Sequence, residues 1–403
     1  MKLLSIVGAR PQFIKIAPLV RAIDLYNAGA PVERVDHRIL HTGQHYDPGM
    51  SDVFFDELDL PVADFRLGVG SGTHAHQTAA MLTGIERVLE HERPDLTIVY
   101  GDTNSTLAGT LAAAKLKLSV AHVEAGLRSF DRHMPEEINR VAADHLADLL
   151  LAPTGTAMKH LAQEGLADRS VLTGDLMYDS VLYYRALAER SSTALGRLGL
   201  EPGGYGLVTL HRAQNTDDRH RLSALLAAFN DVAAKGLSLV FPLHPRTSAR
   251  ISAVLPGWRP DPHLHLTGPV GYLDSLALLA NARVTLTDSG GLQKEALFVG
   301  CPCITLRAET EWVETLQAGA NLLVDADASR ILAAVESWSI RYPRGHADFS
   351  AQARAAFGAG NAAGSVLAEL KRFCLNRRTA PYFAPPSSGA RTNPNIKTEG
   401  VRG

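Results

Sequence analysis

Short apolar runs alternate along the chain with longer stretches of helical period, an alternation that predicts parallel sheets with crossover helices. Leu3 to Val7 is the first such run, followed by a glycine-containing turn and a helix from about Ile14 to Leu25. Val35 to Thr42, Leu96 to Tyr100, Val120 to Glu124, Leu149 to Ala152 and Val171 to Thr173 continue the strands, with an Ala- and Leu-rich helix over Leu107 to Leu116. The series then restarts. Gly206 to Leu210, Leu237 to Leu243, Leu264 to Thr267, Val284 to Thr287, Cys303 to Arg307 and Leu322 to Val324 read as strands. Helices are expected over Arg219 to Lys235 and around Leu273 to Leu279. Two successive open α/β units result, joined near Asp179 to Pro202, and no short repeat is present.

Length agrees, since 403 residues exceed one comfortable core and suit two domains. From Asn376 onward Pro, Ser, Gly, Asn and basic residues replace the apolar period, which predicts a disordered tail over 376–403. A formal net charge of −2 gives no support to a nucleic-acid partner, although single cations in a cleft can still hold a phosphate. No apolar run reaches the roughly 18 residues of a membrane span, and the N-terminal run is too short for a signal peptide. A cytoplasmic protein without membrane association is expected. Cys301, Cys303 and Cys374 lack framework or zinc spacing and read as reduced packing thiols, so no metal is expected. Cys301 and Cys303, placed in one buried strand, would point to opposite faces.

In open parallel sheets ligands sit beyond the carboxyl ends of strands. Arg10, Gln44-His45, Asp102, Glu124, His211, His244–Arg246 and Asp288-Ser289 each follow an apolar strand. One such residue is ordinarily a helix cap; the whole series predicts a catalytic cleft. Ser289-Gly290-Gly291, between a strand and a helix, offers bare N–H groups and a helix dipole to a phosphate, though alone it reads equally as a serine cap. It lacks both the dinucleotide fingerprint and the P-loop lysine, which disfavours nicotinamide cofactors and ATP. Glu295, one turn further, suits a ribose diol or a plain exposed helix position. Arg10 and Lys15 would face a diphosphate or sugar from the opposite domain. Asp102, Glu124 and Glu136, together with His211, would supply acids and bases on both faces of a bound sugar. Arg128 and Arg140 are expected to keep some of these carboxylates ionised. After Pro135, Glu136 also reads as a favourable first-turn carboxylate.

These motifs resemble the non-hydrolysing UDP-N-acetylglucosamine 2-epimerase family. The matching stretches are Gly8–Lys15 (GARPQFIK), Thr42–His45 (TGQH), Gly101–Thr103 (GDT), His122–Arg128 (HVEAGLR), Pro135–Arg140 (PEEINR), His211-Arg212 and Asp288–Ala296 (DSGGLQKEA). They occur in order and cover residues 1 to about 375. The resemblance implies a glycosyltransferase-B-like α/β architecture of two Rossmann-like doubly wound domains facing a cleft. Residues 1–180 and 181–354 would form the domains, with a C-terminal helix at about 355–375 crossing back. It implies a homodimer without cofactor that eliminates UDP to a 2-acetamidoglucal and re-adds it with C2 inverted. Carried over residue by residue, Asp102, Glu124, Glu136 and His211 are the catalytic set. Arg10, Lys15, His244, Ser289, Gly290, Gly291 and Glu295 would hold UDP.

Three motifs depart from the family pattern. The family often follows its His-Arg with Arg-Glu-Asn, where this chain has Ala213-Gln214-Asn215. Thr310-Glu311-Trp312-Val313-Glu314 replaces Thr-Glu-Arg-Pro-Glu, and Gly174-Asp175-Leu176-Met177-Tyr178-Asp179 replaces Gly-Asn-Pro-x-x-Asp. The variants resemble a branch that includes epimerases of UDP-2,3-diacetamido-2,3-dideoxy-glucuronic acid. Conversion of UDP-GlcNAc to UDP-ManNAc is expected first, and the same chemistry on the diacetamido uronic acid second. A glycosyltransferase of this architecture would need fewer acids around the sugar, and a binding-only sensor would need none. A hydrolysing epimerase would share nearly every site residue.

Overall fold

The computed structural model describes residues 1–44, 54–343 and 345–379. His45 and residues 380–403 of the expected tail lie outside the described residues. Two fully parallel sheets carry the chain. The first has the order β3-β2-β1-β4-β5-β6-β7, from β1 (Lys2–Val7), β2 (Asp36–His41), β3 (Phe65–Arg66), β4 (Leu96–Tyr100), β5 (Val120–Val123), β6 (Leu149–Ala152) and β7 (Ser170–Leu172). The second has the order β10-β9-β8-β11-β12-β13, from β8 (Tyr205–Thr209), β9 (Ser238–Pro242), β10 (Leu264–Thr267), β11 (Val284–Thr287), β12 (Cys303–Thr305) and β13 (Asn321–Leu323). In each sheet the first strand sits between neighbours that lead in opposite directions, so switch points open beside β1/β4 and β8/β11. Helices cover both faces, which is why central strands such as Leu96–Tyr100 are buried along their whole length.

Differences from the sequence reading have local causes. Helices begin earlier than their apolar period because their first turns are polar. Pro11 sits in the first turn of Arg10–Ala28, and the Thr103 side chain caps Asn104–Lys115 by accepting from Thr106 N–H. The helix His74–Glu92 went unread because its buried stripe is narrow: Gln77, Met81, Ile85 and Leu89. β3 is two residues long with no fully buried position. Cys303 opens β12, whereas Cys301 lies before the strand, ahead of Pro302; all three cysteines are buried.

The join is a helix, Leu176–Ser191, packed on both halves. Ser180 and Tyr184 donate to the carbonyls of Ile14 (2.6 Å) and Leu58 (2.6 Å), while the Tyr178 ring lies 4.6 Å from that of Phe298. The chain returns at the same place. The Phe357 carbonyl accepts from Asp175 N–H at 3.0 Å, beside Gly174, whose φ of +82° a side chain would resist. The Asp179 carboxylate then caps the returning helix, Ala362–Thr379, through the N–H groups of Ala362 and Ala363 at 3.1 and 2.8 Å. This helix lies against Arg10–Ala28 and runs through Asn376 to Thr379, four residues into the stretch expected as tail. Its last turn carries polar residues, among them Arg377, which reaches Ser119 and Asp148, and so gave no apolar signal. No helix among the described residues is long and apolar enough to cross a membrane.

Candidate active site

At the β1/β4 switch point the two loops are tied by Gln12. Its Oε1 accepts from Gly8 and Ala9 N–H at 2.8 and 3.1 Å, and its Nε2 donates to the Tyr100 carbonyl (2.9 Å) and Thr106 Oγ1 (3.2 Å). A side chain on Gly8 would collide with the hydroxyls of Thr42 and Ser105, so the loop closes only on glycine. Gln44 joins the same wall, accepting from Ser105 N–H and Oγ at 3.2 and 2.9 Å.

Glu124 follows β5 with φ +69°, a left-handed conformation rare outside glycine that turns its carboxylate inward. There it lies between the ammonium of Lys15 and that of Lys294, the latter at 2.9 Å from Oε1. Burial alone would raise its pKa; the two lysines outweigh burial and hold it at about 2. Gly101 makes room for the pair, since a Cβ would stand 2.8 Å from Lys15 Nζ. Lys294 continues to Asp175 Oδ2 at 2.5 Å and lies 3.7 Å over the Trp312 ring.

Asp102 follows β4 and accepts from Arg140 at 2.5 Å. Arg140 is buried, yet Asp102, Glu311 and Glu137 keep its pKa above the ordinary value. The adjacent glutamates have separate fates. Glu137 holds a loop, accepting from Ser129 and Phe130 N–H at 2.9 and 3.0 Å. Glu136, on the first turn of the helix Pro135–Leu146, is half-buried in the cavity wall and makes no hydrogen bond or ion pair among the described residues. Arg128 is not part of this cluster: it pairs with Asp144 and Glu164, both at 2.7 Å, and of the two arginines only Arg140 contacts a carboxylate of the expected set, Asp102.

Across the cleft, His211 Nδ1 lies 3.1 Å from the Asp288 carboxylate, which also accepts from Arg212 N–H and Asn215. Burial works against the Asp288 anion, but His211 and these donors hold its pKa below the ordinary range. A proton on Nδ1 donates to this carboxylate, which leaves Nε2 for the cavity. Ser289 caps the helix Gly290–Val299, its Oγ accepting from Leu292 N–H at 3.4 Å. A side chain on Gly290 would run into the Glu311 carboxylate, itself buried and kept ionised by Arg307, Arg212 and Arg140. Further along, burial pushes Glu295 up to about 7, against the pull of the Tyr272 hydroxyl, Lys294 and Arg10. Arg10 stacks 4.1 Å over Phe54 and donates to the Val270 carbonyl at 3.5 Å. His244 caps the helix Pro245–Val254, Nδ1 accepting from Arg246 N–H at 3.2 Å.

These groups line two adjoining cavities. The larger, of about 590 Å³, holds Lys15, Asp102, Glu124, Glu136 and Gly290. The smaller, of about 410 Å³, holds Arg10, His244 and Glu295. His211, Ser289 and Gly291 belong to both walls. Ser289 and Gly291 therefore stand at the junction, with Lys15 on the acidic side rather than beside Arg10. Gln12 and Lys294 were missed from sequence although both lie within matched motifs. An amide and a lysine inside helices read as ordinary polar positions until the fold shows what they join.

Paired switch points facing one cleft, a helix N-terminus between two compartments and carboxylates in one of them define a nucleotide-sugar protein of the glycosyltransferase-B-like class. Comparison narrows the class: the profile of the family described as UDP-N-acetylglucosamine 2-epimerase matches residues 29–371, and the chain belongs to that family. A UDP-N-acetylglucosamine 2-epimerase homolog of Methanococcus maripaludis is 46% identical over 356 residues, 86% of this chain and 97% of the relative. The UDP-2,3-diacetamido-2,3-dideoxy-D-glucuronate 2-epimerase of Pseudomonas aeruginosa is 45% identical over 335 residues, 82% of this chain and 90% of the relative. The crystal structure of Methanocaldococcus jannaschii UDP-GlcNAc 2-epimerase in complex with UDP-GlcNAc and UDP superposes with a TM-score of 0.84 at 40% identity, covering 92% of this chain and all of that one.

Proposed function

We propose that this protein inverts C2 of a UDP-linked 2-acetamido sugar, converting UDP-GlcNAc to UDP-ManNAc. The observation that carries the reading is the helix N-terminus at Ser289–Gly291, which stands between an acidic compartment and one lined by Glu295 and offers a seat for an anion. The diphosphate takes the seat, the sugar enters the acidic compartment, and the ribose reaches Glu295. The C1–O bond breaks first, because the C2 hydrogen is not acidic in the ground state. The helix N-terminus and Lys15 stabilise the charge that develops on UDP. Loss of the C2 proton completes a C1=C2 double bond. Re-addition of the UDP oxygen to C1, with a proton delivered to the opposite face of C2, gives the epimer. Glu136, the carboxylate left without a cation, is the base in this scheme, and Asp102 and His211 are the further proton-transfer groups. Glu124, clamped by two lysines, serves as a fixed negative charge.

A second reading keeps the chemistry and changes the substrate to UDP-2,3-diacetamido-2,3-dideoxy-glucuronate. It is supported by the 45% identical Pseudomonas relative of that name and by the departures at Asp175 and Trp312. Chromatography after incubation with each UDP sugar tests both: a UDP-linked epimer from one of them is expected. Free sugar and UDP in equal amounts would instead identify a hydrolase. The family resemblance further supports a cytoplasmic homodimer, for which sedimentation at the mass of two chains is the expected result and a monomer the contrary one.

A further inference from the structure

Four elements meet on the ammonium of Lys294. The residue belongs to the helix whose N-terminus forms the anion seat, and its side chain is fully buried. Nζ contacts Glu124 beyond β5 at 2.9 Å, Asp175 at the start of the join helix at 2.5 Å, and the Trp312 ring beyond β12 at 3.7 Å. Asp175 and Trp312 are two of the positions at which the chain departs from the family's usual motifs, so separate departures in sequence converge on one group in space. A buried ammonium is costly unless charges and hydrogen bonds satisfy it. Here Lys15 and Lys294 balance Glu124 and Asp175, two charges of each sign. Among the described residues Lys15, Lys294 and the Gly101 turn face Glu124, and Asp175 faces it through Lys294.

We propose that Lys294 is a positioning residue of the epimerisation site, holding Glu124 as an oriented anion and coupling it to the diphosphate seat on its own helix. The inference rests on the epimerase reading of the cleft. Without Lys294 the Glu124 carboxylate keeps one lysine, turns less tightly held, and accepts a proton more readily. Asp175, by contrast, pairs with Lys294 and not with Glu124, its other oxygen capping the join helix by accepting from Met177 N–H at 2.7 Å.

The test is a carboxyl ¹³C titration of Glu124 in glutamate-labelled protein, its signal assigned by comparison with Glu124→Gln, alongside C2 hydrogen exchange. Lys294→Met alone strands the buried Asp175 carboxylate and risks misfolding. The double variant Lys294→Met/Asp175→Asn keeps the net charge, and UDP binding reports its fold. In the double variant the Glu124 midpoint is expected to rise by about 1 pH unit or more. Its kcat is expected to fall about tenfold or more with KM held. Asp175→Asn alone should leave the midpoint low. An unchanged midpoint in the double variant, or a normal kcat, overturns the proposal. A parent protein that binds UDP yet exchanges C2 hydrogen in neither UDP sugar refutes the epimerase reading instead, so the two failures are distinguishable.

Discussion

Glu136 and Glu137 show how far a sequence carries chemistry at the scale of one residue. Both fit a first-turn carboxylate after Pro135, yet Glu137 is spent on Ser129, Phe130 and Arg140 while Glu136 has no partner among the described residues and lines the cavity. The motif was legible; the division of labour was not, because it depends on which side of the helix meets the loop. Glu136→Gln and Asp102→Asn should therefore keep UDP affinity, measured by calorimetry, while kcat falls about 10²–10⁴-fold. A variant turning over near the parent rate would remove its residue from the proton-transfer set. Glu295 yields a pH prediction. With its pKa raised to about 7, the free carboxyl is protonated below that pH and ionised above it. Ribose hydroxyls donate to the ionised form, so UDP binds more tightly as pH rises through 7. The ratio of Kd for Glu295→Gln to Kd for the parent, in which UDP's own titration cancels, should grow from pH 6 to pH 8. A flat ratio would place the ribose elsewhere.

At the scale of elements, strand positions were largely legible because central parallel strands are unbroken apolar runs; β4, β6, β10 and β11 have the read boundaries. Helix starts were not, since caps and first turns are polar, and neither was the narrow-striped helix His74–Glu92. The glycines of the anion seat were visible as a pair, but their roles separate only in space. A Cβ on Gly290 would collide with the buried Glu311 carboxylate, whereas one on Gly291 meets nothing closer than the Met177 methyl at 3.5 Å. Gly290→Ala should lower the melting temperature, and Gly291→Ala should fold normally but weaken UDP binding by narrowing the seat shared by both cavities. Equal melting temperatures for the two variants would contradict this. Replacing the cap, Ser289→Ala, should cost about 1 kcal/mol of stability in denaturant titration.

For the whole molecule, the restart of the strand series revealed two α/β units, but not that the join is a helix shared by both or that Asp179 caps the returning helix. Such long-range pairings leave no periodic trace. The same distance hid Lys294, whose partners lie 119 and 170 residues away in sequence. The residues proposed to hold UDP come from both halves, Arg10 and Lys15 from one, Ser289 and Glu295 from the other. Saturating UDP should therefore draw the halves together and reduce the radius of gyration in solution scattering; superimposable profiles would argue against closure. The proposed inversion of C2 cleaves its C–H bond, and proton NMR in D₂O tests this most directly. With UDP-GlcNAc or its diacetamido uronic acid counterpart, a UDP-linked epimer carrying deuterium at C2 is expected. An epimer that retains hydrogen at C2, or no exchange in either sugar while UDP binds, would contradict it.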